Sequence, residues 1–143
     1  MTKYVVVTGA SSGIGRGCVG VLIQKGFHVF GSVRKQTDAD SLLNEFGDKI
    51  TPLIFEATDI AAVKEAADKV SSIVGDTVLS GLVNNAGVAV TGPMMHIPIE
   101  EFRYQMEINT VGPIIAIQAF LPLLGAVNPP VENPGRIINI TSI

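Results

Sequence analysis

Thr8-Gly9-Ala10-Ser11-Ser12-Gly13-Ile14-Gly15 lies between an apolar, β-branched run and a helix-like stretch. Residues of these types at this spacing can cradle phosphates. Gly9 permits a tight turn, Gly13 lets the backbone approach a pyrophosphate, and Gly15 allows close packing of helix on strand. The helix that follows offers free N–H groups and a partial positive charge at its N-terminus. Ser11 and Ser12 add hydroxyl donors. Three glycines alone are a weak signal, because a βα turn without a ligand has them too. Their place between a strand and a helix points to a dinucleotide.

The same chemistry predicts which dinucleotide. An acidic residue about 20 positions past the loop would bind the ribose 2′-hydroxyl of NAD(H). Here that position is Val33, followed by Arg34 and Lys35. No carboxylate repels a 2′-phosphate there, and a guanidinium can fork onto phosphate oxygens. NADP(H) is therefore expected, with NAD(H) second. The alternative is that Arg34 and Lys35 form a solvated strand end.

Elements alternate along the chain. Strands are expected over Tyr4–Thr8, His28–Val33, Ile50–Phe55, Leu79–Asn84 and Arg136–Thr141. Helices are expected over Ile14–Lys25, Asp38–Phe46, Asp59–Val74 with Asp59 as N-cap and Gly75 beyond its end, and Glu100–Leu124. Strand runs such as Tyr4-Val5-Val6-Val7 and Ile137-Ile138-Asn139-Ile140 are continuously apolar, as in strands covered on both faces. Right-handed crossovers then imply an α/β, doubly wound parallel sheet in the order 3-2-1-4-5.

Composition narrows the classes. The 143 residues fit one domain, and 47% hydrophobic residues against 16% charged exclude a disordered chain. A net charge of −3 with scattered Lys and Arg argues against nucleic acid. The single Cys18 cannot form an internal disulfide, and the N-terminus lacks signal-peptide flanks, so the cytoplasm is the expected location. His28 and His96 have no partner at ligand spacing, and no metal is expected. Thr110 to Val131 has no charged residue, a length that could span a bilayer, but its prolines favour a core helix over a membrane span.

The loop reads G-x-x-x-G-x-G rather than G-x-G-x-x-G. With Asn84-Asn85-Ala86-Gly87, Asn109-Thr110-Val111-Gly112 and Asn139-Ile140-Thr141-Ser142 in that order, the whole chain resembles the short-chain dehydrogenase/reductase family. Glu107-Ile108-Asn109 through Gln118-Ala119-Phe120-Leu121-Pro122-Leu123-Leu124 is most similar to its steroid and retinol dehydrogenase-like members. The resemblance implies a Rossmann domain over residues 1–143 and hydride transfer between a nicotinamide and a carbonyl or secondary alcohol, with lipophilic substrates and a homo-oligomer in the complete protein. It assigns Ser142 to orienting the substrate oxygen and Asn109 to holding a relay water. Asn85, Ala86 and Gly87 would lie against the adenine ribose. Glu56 and Ala57 stand where relatives often carry Asp-Val beside the adenine, with Glu56 one methylene longer.

The family's acid/base Tyr with a Lys four residues later is absent. Thr8 follows Tyr4 at that spacing, and Ile108 follows Tyr104. An unperturbed Tyr has a pKa of about 10 and needs such a cation to act near neutrality. The pair would fall beyond Ser142, so this chain is expected to be the N-terminal portion of an enzyme, inactive and poorly soluble alone, with its fifth strand an exposed edge. A non-catalytic NADP(H)-binding module is the alternative, and a membrane-associated protein a third. Pro93, Met94, Met95 and Ile97 either border a lipophilic pocket or pack under a loop.

Overall fold

The computed structural model describes residues 1–142. Five parallel strands form one sheet in the order β3-β2-β1-β4-β5. They are β1 (Lys3–Val7), β2 (Phe27–Val33), β3 (Ile50–Ile54), β4 (Gly81–Asn84) and β5 (Arg136–Asn139). The helices are α1 (Gly13–Gln24), α2 (Gln36–Phe46), α3 (Ile60–Val74), α4 (Ile99–Met106) and α5 (Gly112–Phe120). This is the doubly wound Rossmann arrangement and strand order that the alternation implies.

Side chains on successive strand residues point to opposite faces, and each face carries its own core. Val5, Val7, Val29 and Ile50 pack with Val19, Ala39 and Leu42 of α1 and α2. Val6, Phe30, Leu53 and Leu82 pack with Val63, Val70, Ile115 and Phe120 of α3 and α5. Asp59 caps α3 by accepting the Ala62 N–H at 3.0 Å, and Gly75 ends it.

Several expected boundaries shift. The fourth strand starts at Gly81 rather than Leu79, and the fifth ends at Asn139 rather than Thr141. Leu79 instead donates its N–H to the Leu123 carbonyl, and past β5 the Ile140 N–H donates to the Asn84 carbonyl. Asp38 lies inside α2, which begins at Gln36.

The helix expected over Glu100–Leu124 is continuous from Ile99 to Leu124 but changes pitch. Between α4 and α5 lies a π-helical turn, Glu107–Val111, in which the Gly112 N–H donates to the Glu107 carbonyl. Pro113 has no N–H to give the Asn109 carbonyl at α spacing, which favours the wider turn. This helix is long and apolar enough to cross a membrane. Its Ile115, Ala116, Phe120 and Leu124 are nevertheless buried against the sheet and α3.

At the opposite edge β5 is exposed along its length, with Ile138 53% accessible.

Candidate functional site

The chain leaves β1 toward β2 on one side, while β4 adds to β1 on the other. Between the C-terminal ends of β1 and β4 the winding reverses, and such a switch point opens a crevice. The glycine-rich loop leaves β1 there, and Asn85-Ala86-Gly87 leave β4 beside it. A cleft of about 330 Å³ lies at this point. Gly9, Ser11, Ser12, Ile14, Arg34, Glu56, Ala57, Asn85, Ala86 and Gly87, all singled out from the sequence, line it.

Gly13 and Gly15 of the loop lie outside the lining. Gly13 has φ +56° and open space where a Cβ would point. Gly15 is required for contact, though not with the strand. A Cβ there would overlap the Gly9 carbonyl and the Asn85 amide, so the helix start packs on the loop itself. Gly9 is required twice over. Its φ is +66°, and a Cβ would lie 2.8 Å from the Ala86 Cα.

Thr8 and Asn85 sew the two loops together. Thr8 is buried, and its Oγ1 accepts the Asn85 and Ala86 N–H groups, each at 3.0 Å. Asn85 Nδ2 donates to the Gly9 carbonyl at 3.0 Å and the Thr8 carbonyl at 3.2 Å. Ser32, at the end of β2, accepts the Gly9 N–H on its Oγ at 3.0 Å, while its carbonyl accepts the Ala10 N–H at 2.8 Å. Thr8 and Ser32 were not legible as site residues. Nothing in their spacing distinguishes a hydroxyl that braces backbone from an ordinary strand-end residue.

β2 ends at Val33, and Arg34, the next residue, lines the cleft together with Ser11 and Ser12. Arg34 and Lys35 are both exposed just past the end of β2, and Arg34 is the one of the two that lines the cleft. Phe55, Val88 and Ile108 also line the cleft and add apolar wall.

Asn109 sits in the π turn and reaches the loop after β4. Its Oδ1 accepts the Val88 N–H at 2.8 Å, and its Nδ2 donates to the Val88 carbonyl at 2.7 Å. Both ends of the amide thus serve that loop, where the resemblance assigns them a water. Ser142 is exposed, three residues past the end of β5. Asn139, the last residue of β5, accepts from Asn84 Nδ2 at 3.0 Å.

The two tyrosines stand away from the cleft. Tyr4 is near the start of β1, stacked on Phe30 and edge-on to His28, and Tyr104 is exposed on α4. Met94 and Met95 are 78% and 85% accessible, so they do not pack under the loop that carries them.

Comparison with known proteins agrees with this geometry. The chain is 44% identical over 140 residues to an NADPH-dependent 3-dehydrocapnine reductase of Ornithobacterium rhinotracheale, covering 98% of this chain and 49% of that protein. It is 36% identical to mouse retinol dehydrogenase 5, covering 98% and 42%. Among solved structures it superposes on a short-chain dehydrogenase from Streptomyces avermitilis with a TM-score of 0.86 at 29% identity, covering 99% and 50%. An NADPH-bound carbonyl reductase from chicken fatty liver gives 0.84 at 30%, covering 99% and 57%. The chain spans about half the length of these relatives. The family model for short chain dehydrogenases matches residues 3–143. With a glycine-rich turn, a parallel sheet and a switch-point cleft already in place, that match over nearly the whole sequence means that the chain belongs to the short chain dehydrogenase family.

Proposed function

We propose that this chain is the cofactor-binding portion of an NADP(H)-dependent oxidoreductase. The complete protein would move a hydride between the nicotinamide and a carbonyl or secondary alcohol of apolar character. One observation carries the cofactor choice. Ser32, Val33 and Arg34 line the cleft at the C-terminal end of β2, and none of the three is acidic. A 2′-phosphate would meet the Arg34 guanidinium there rather than a carboxylate. The NADPH dependence of the 3-dehydrocapnine reductase supports the same reading.

Within that reading, Gly9, Ser11, Ser12, Gly13, Ile14 and Gly15 would receive the pyrophosphate. The fit is physical, because backbone N–H groups at the start of α1 have no intrahelical partners and the space over Gly13 is open. Glu56 and Ala57 would border the adenine, and Asn85, Ala86 and Gly87 its ribose. Bound NADP(H) would supply or accept the hydride. Ser142 would orient the substrate oxygen, and Asn109 would hold the loop after β4 in place. The acid/base Tyr and Lys are not among these 143 residues, and the complete protein would have to provide them. The similarity to retinol dehydrogenase 5 supports an apolar substrate, and we place the protein in the cytoplasm as a homo-oligomer.

Fluorescence titration with NADPH and NADH tests the cofactor reading. Tighter binding of NADPH is expected, and Arg34→Glu should weaken it at least about tenfold, the scale of one lost charge-assisted contact. Equal affinity for the two cofactors would refute the assignment. NADPH oxidation with apolar ketones by the full-length protein then separates an enzyme from a module that binds without turnover.

A further inference from the structure

We infer that Arg16 is a positioning residue that fixes the phosphate loop against the segment carrying Arg34. This role rests on the cofactor reading above and deepens it. Arg16 lies in the first turn of α1, yet its side chain serves two other segments. Nη1 donates to the Ser11 carbonyl at 2.9 Å. Nε donates to Glu45 Oε2 at 2.7 Å, and Nη2 to Ser41 Oγ at 3.0 Å. Ser11 belongs to the loop and lines the cleft. Ser41 and Glu45 belong to α2, which begins two residues after Arg34.

A planar guanidinium spreads its five donors over three nitrogens and so reaches a carbonyl, a hydroxyl and a carboxylate in different directions, whereas an ammonium gathers its three donors on one atom at the end of a flexible stem. The arrangement makes Arg16 the tie between the Ser11 stretch of the loop and α2, the helix that follows Arg34. The rest of the loop is anchored elsewhere. Gly9 and Ala10 are held by Ser32, and the Gly9 carbonyl by Asn85. Releasing Arg16 therefore removes the side-chain hold on the Ser11 carbonyl and lets α2 move relative to the loop. The group most sensitive to that gap is the one that must touch the loop side and Arg34 together, a 2′-phosphate. Arg16 does not face it, and acts by setting the separation of the groups that do.

The test is cofactor binding by Arg16→Met in the full chain, followed by nicotinamide fluorescence. NADPH affinity should fall about tenfold while NADH affinity changes by less than about twofold, since only the former uses the Arg34 side. Arg16→Lys should recover little of the loss. Glu45→Gln, a half-exposed change on α2 that leaves folding intact, should weaken NADPH by about threefold in the same selective way. Equal loss for both cofactors would make Arg16 a general stabiliser and overturn the positioning role. No loss for either variant, in a protein that binds NADPH, would overturn it as well. If Arg16→Met fails to fold, the selectivity of Glu45→Gln decides. A parent chain that binds neither cofactor would instead refute the cofactor reading, and the role of Arg16 with it.

Discussion

Asn109 grips the main chain of Val88 by both its N–H and its carbonyl, at 2.8 and 2.7 Å, across 21 residues of sequence. A side-chain amide has one donor edge and one acceptor edge at the spacing of a peptide, so it pairs with a backbone residue as a strand would. The π turn brings that amide to the loop. Asn109→Ala should therefore loosen the loop more than the fold. The cost in global stability is expected to be about 1 kcal/mol, because both bonds are exposed to competing water. Amide exchange at Val88 should accelerate well beyond what that global change explains. Unchanged protection at Val88 would show that the loop is held by something else.

Thr8 carries a heavier task. Its hydroxyl is buried and accepts two N–H groups, from Asn85 and Ala86. Thr8→Val keeps the shape but leaves two donors without an acceptor. Each stranded group costs about 1–3 kcal/mol, so a loss of roughly 2–6 kcal/mol is expected in chemical denaturation. Thr8→Ser retains the acceptor and should restore most of it. A valine variant as stable as the parent would mean that water reaches these N–H groups.

Gly9 and Gly13 separate conformational from steric demand. Both have positive φ, but a Cβ at Gly9 would strike Ala86 while one at Gly13 meets nothing within 4 Å. Gly13→Ala should cost only the left-handed strain, about 1–2 kcal/mol. Gly9→Ala adds an overlap with backbone, which typically costs a further 1–3 kcal/mol or so, and should shift the loop. Thermal unfolding of the pair checks the order, and Gly13→Ala being the worse of the two would contradict it.

The architecture was largely legible, because it depends on patterns that the chain repeats. Apolar runs such as Tyr4–Val7 specify strands covered on both faces, and turn residues separate them from helices. The place of Arg34 followed once Val33 was taken as the end of a strand. What stayed hidden was cross-chain bracing. The hydroxyls of Thr8 and Ser32 and the contact of Gly15 with Asn85 depend on where distant segments meet, which no local spacing encodes. The π turn was hidden for another reason. Apolar periodicity reads Ile99–Leu124 as one helix whether or not a residue is inserted at Asn109, and only Pro113 hinted at a change of pitch. Ile137 and Ile138 of β5 lie open, an exposure that the apolar run itself does not encode.

His28 sets an acid limit on stability from the end of the sheet away from the cleft. It is half-buried on β2 between Tyr4 and Phe30, with Nε2 2.8 Å from Thr51 Oγ1. Burial lowers its pKa below the ordinary 6.5, and the Asp48 carboxylate offsets part of that. A histidine whose folded pKa is depressed favours the fold when neutral. Its contribution is present above the unfolded pKa and is lost as the pH falls through that value toward the folded one, where the unfolded chain binds the proton first. Unfolding free energy should therefore drop as the pH falls from the unfolded value of about 6.5 toward the lower folded one, in addition to any carboxylate effects. His28→Phe keeps the ring packing and removes the titration, so its stability curve should be flatter over that interval, although it loses the Thr51 bond. Parallel curves for parent and variant would show that His28 protonates as easily folded as unfolded.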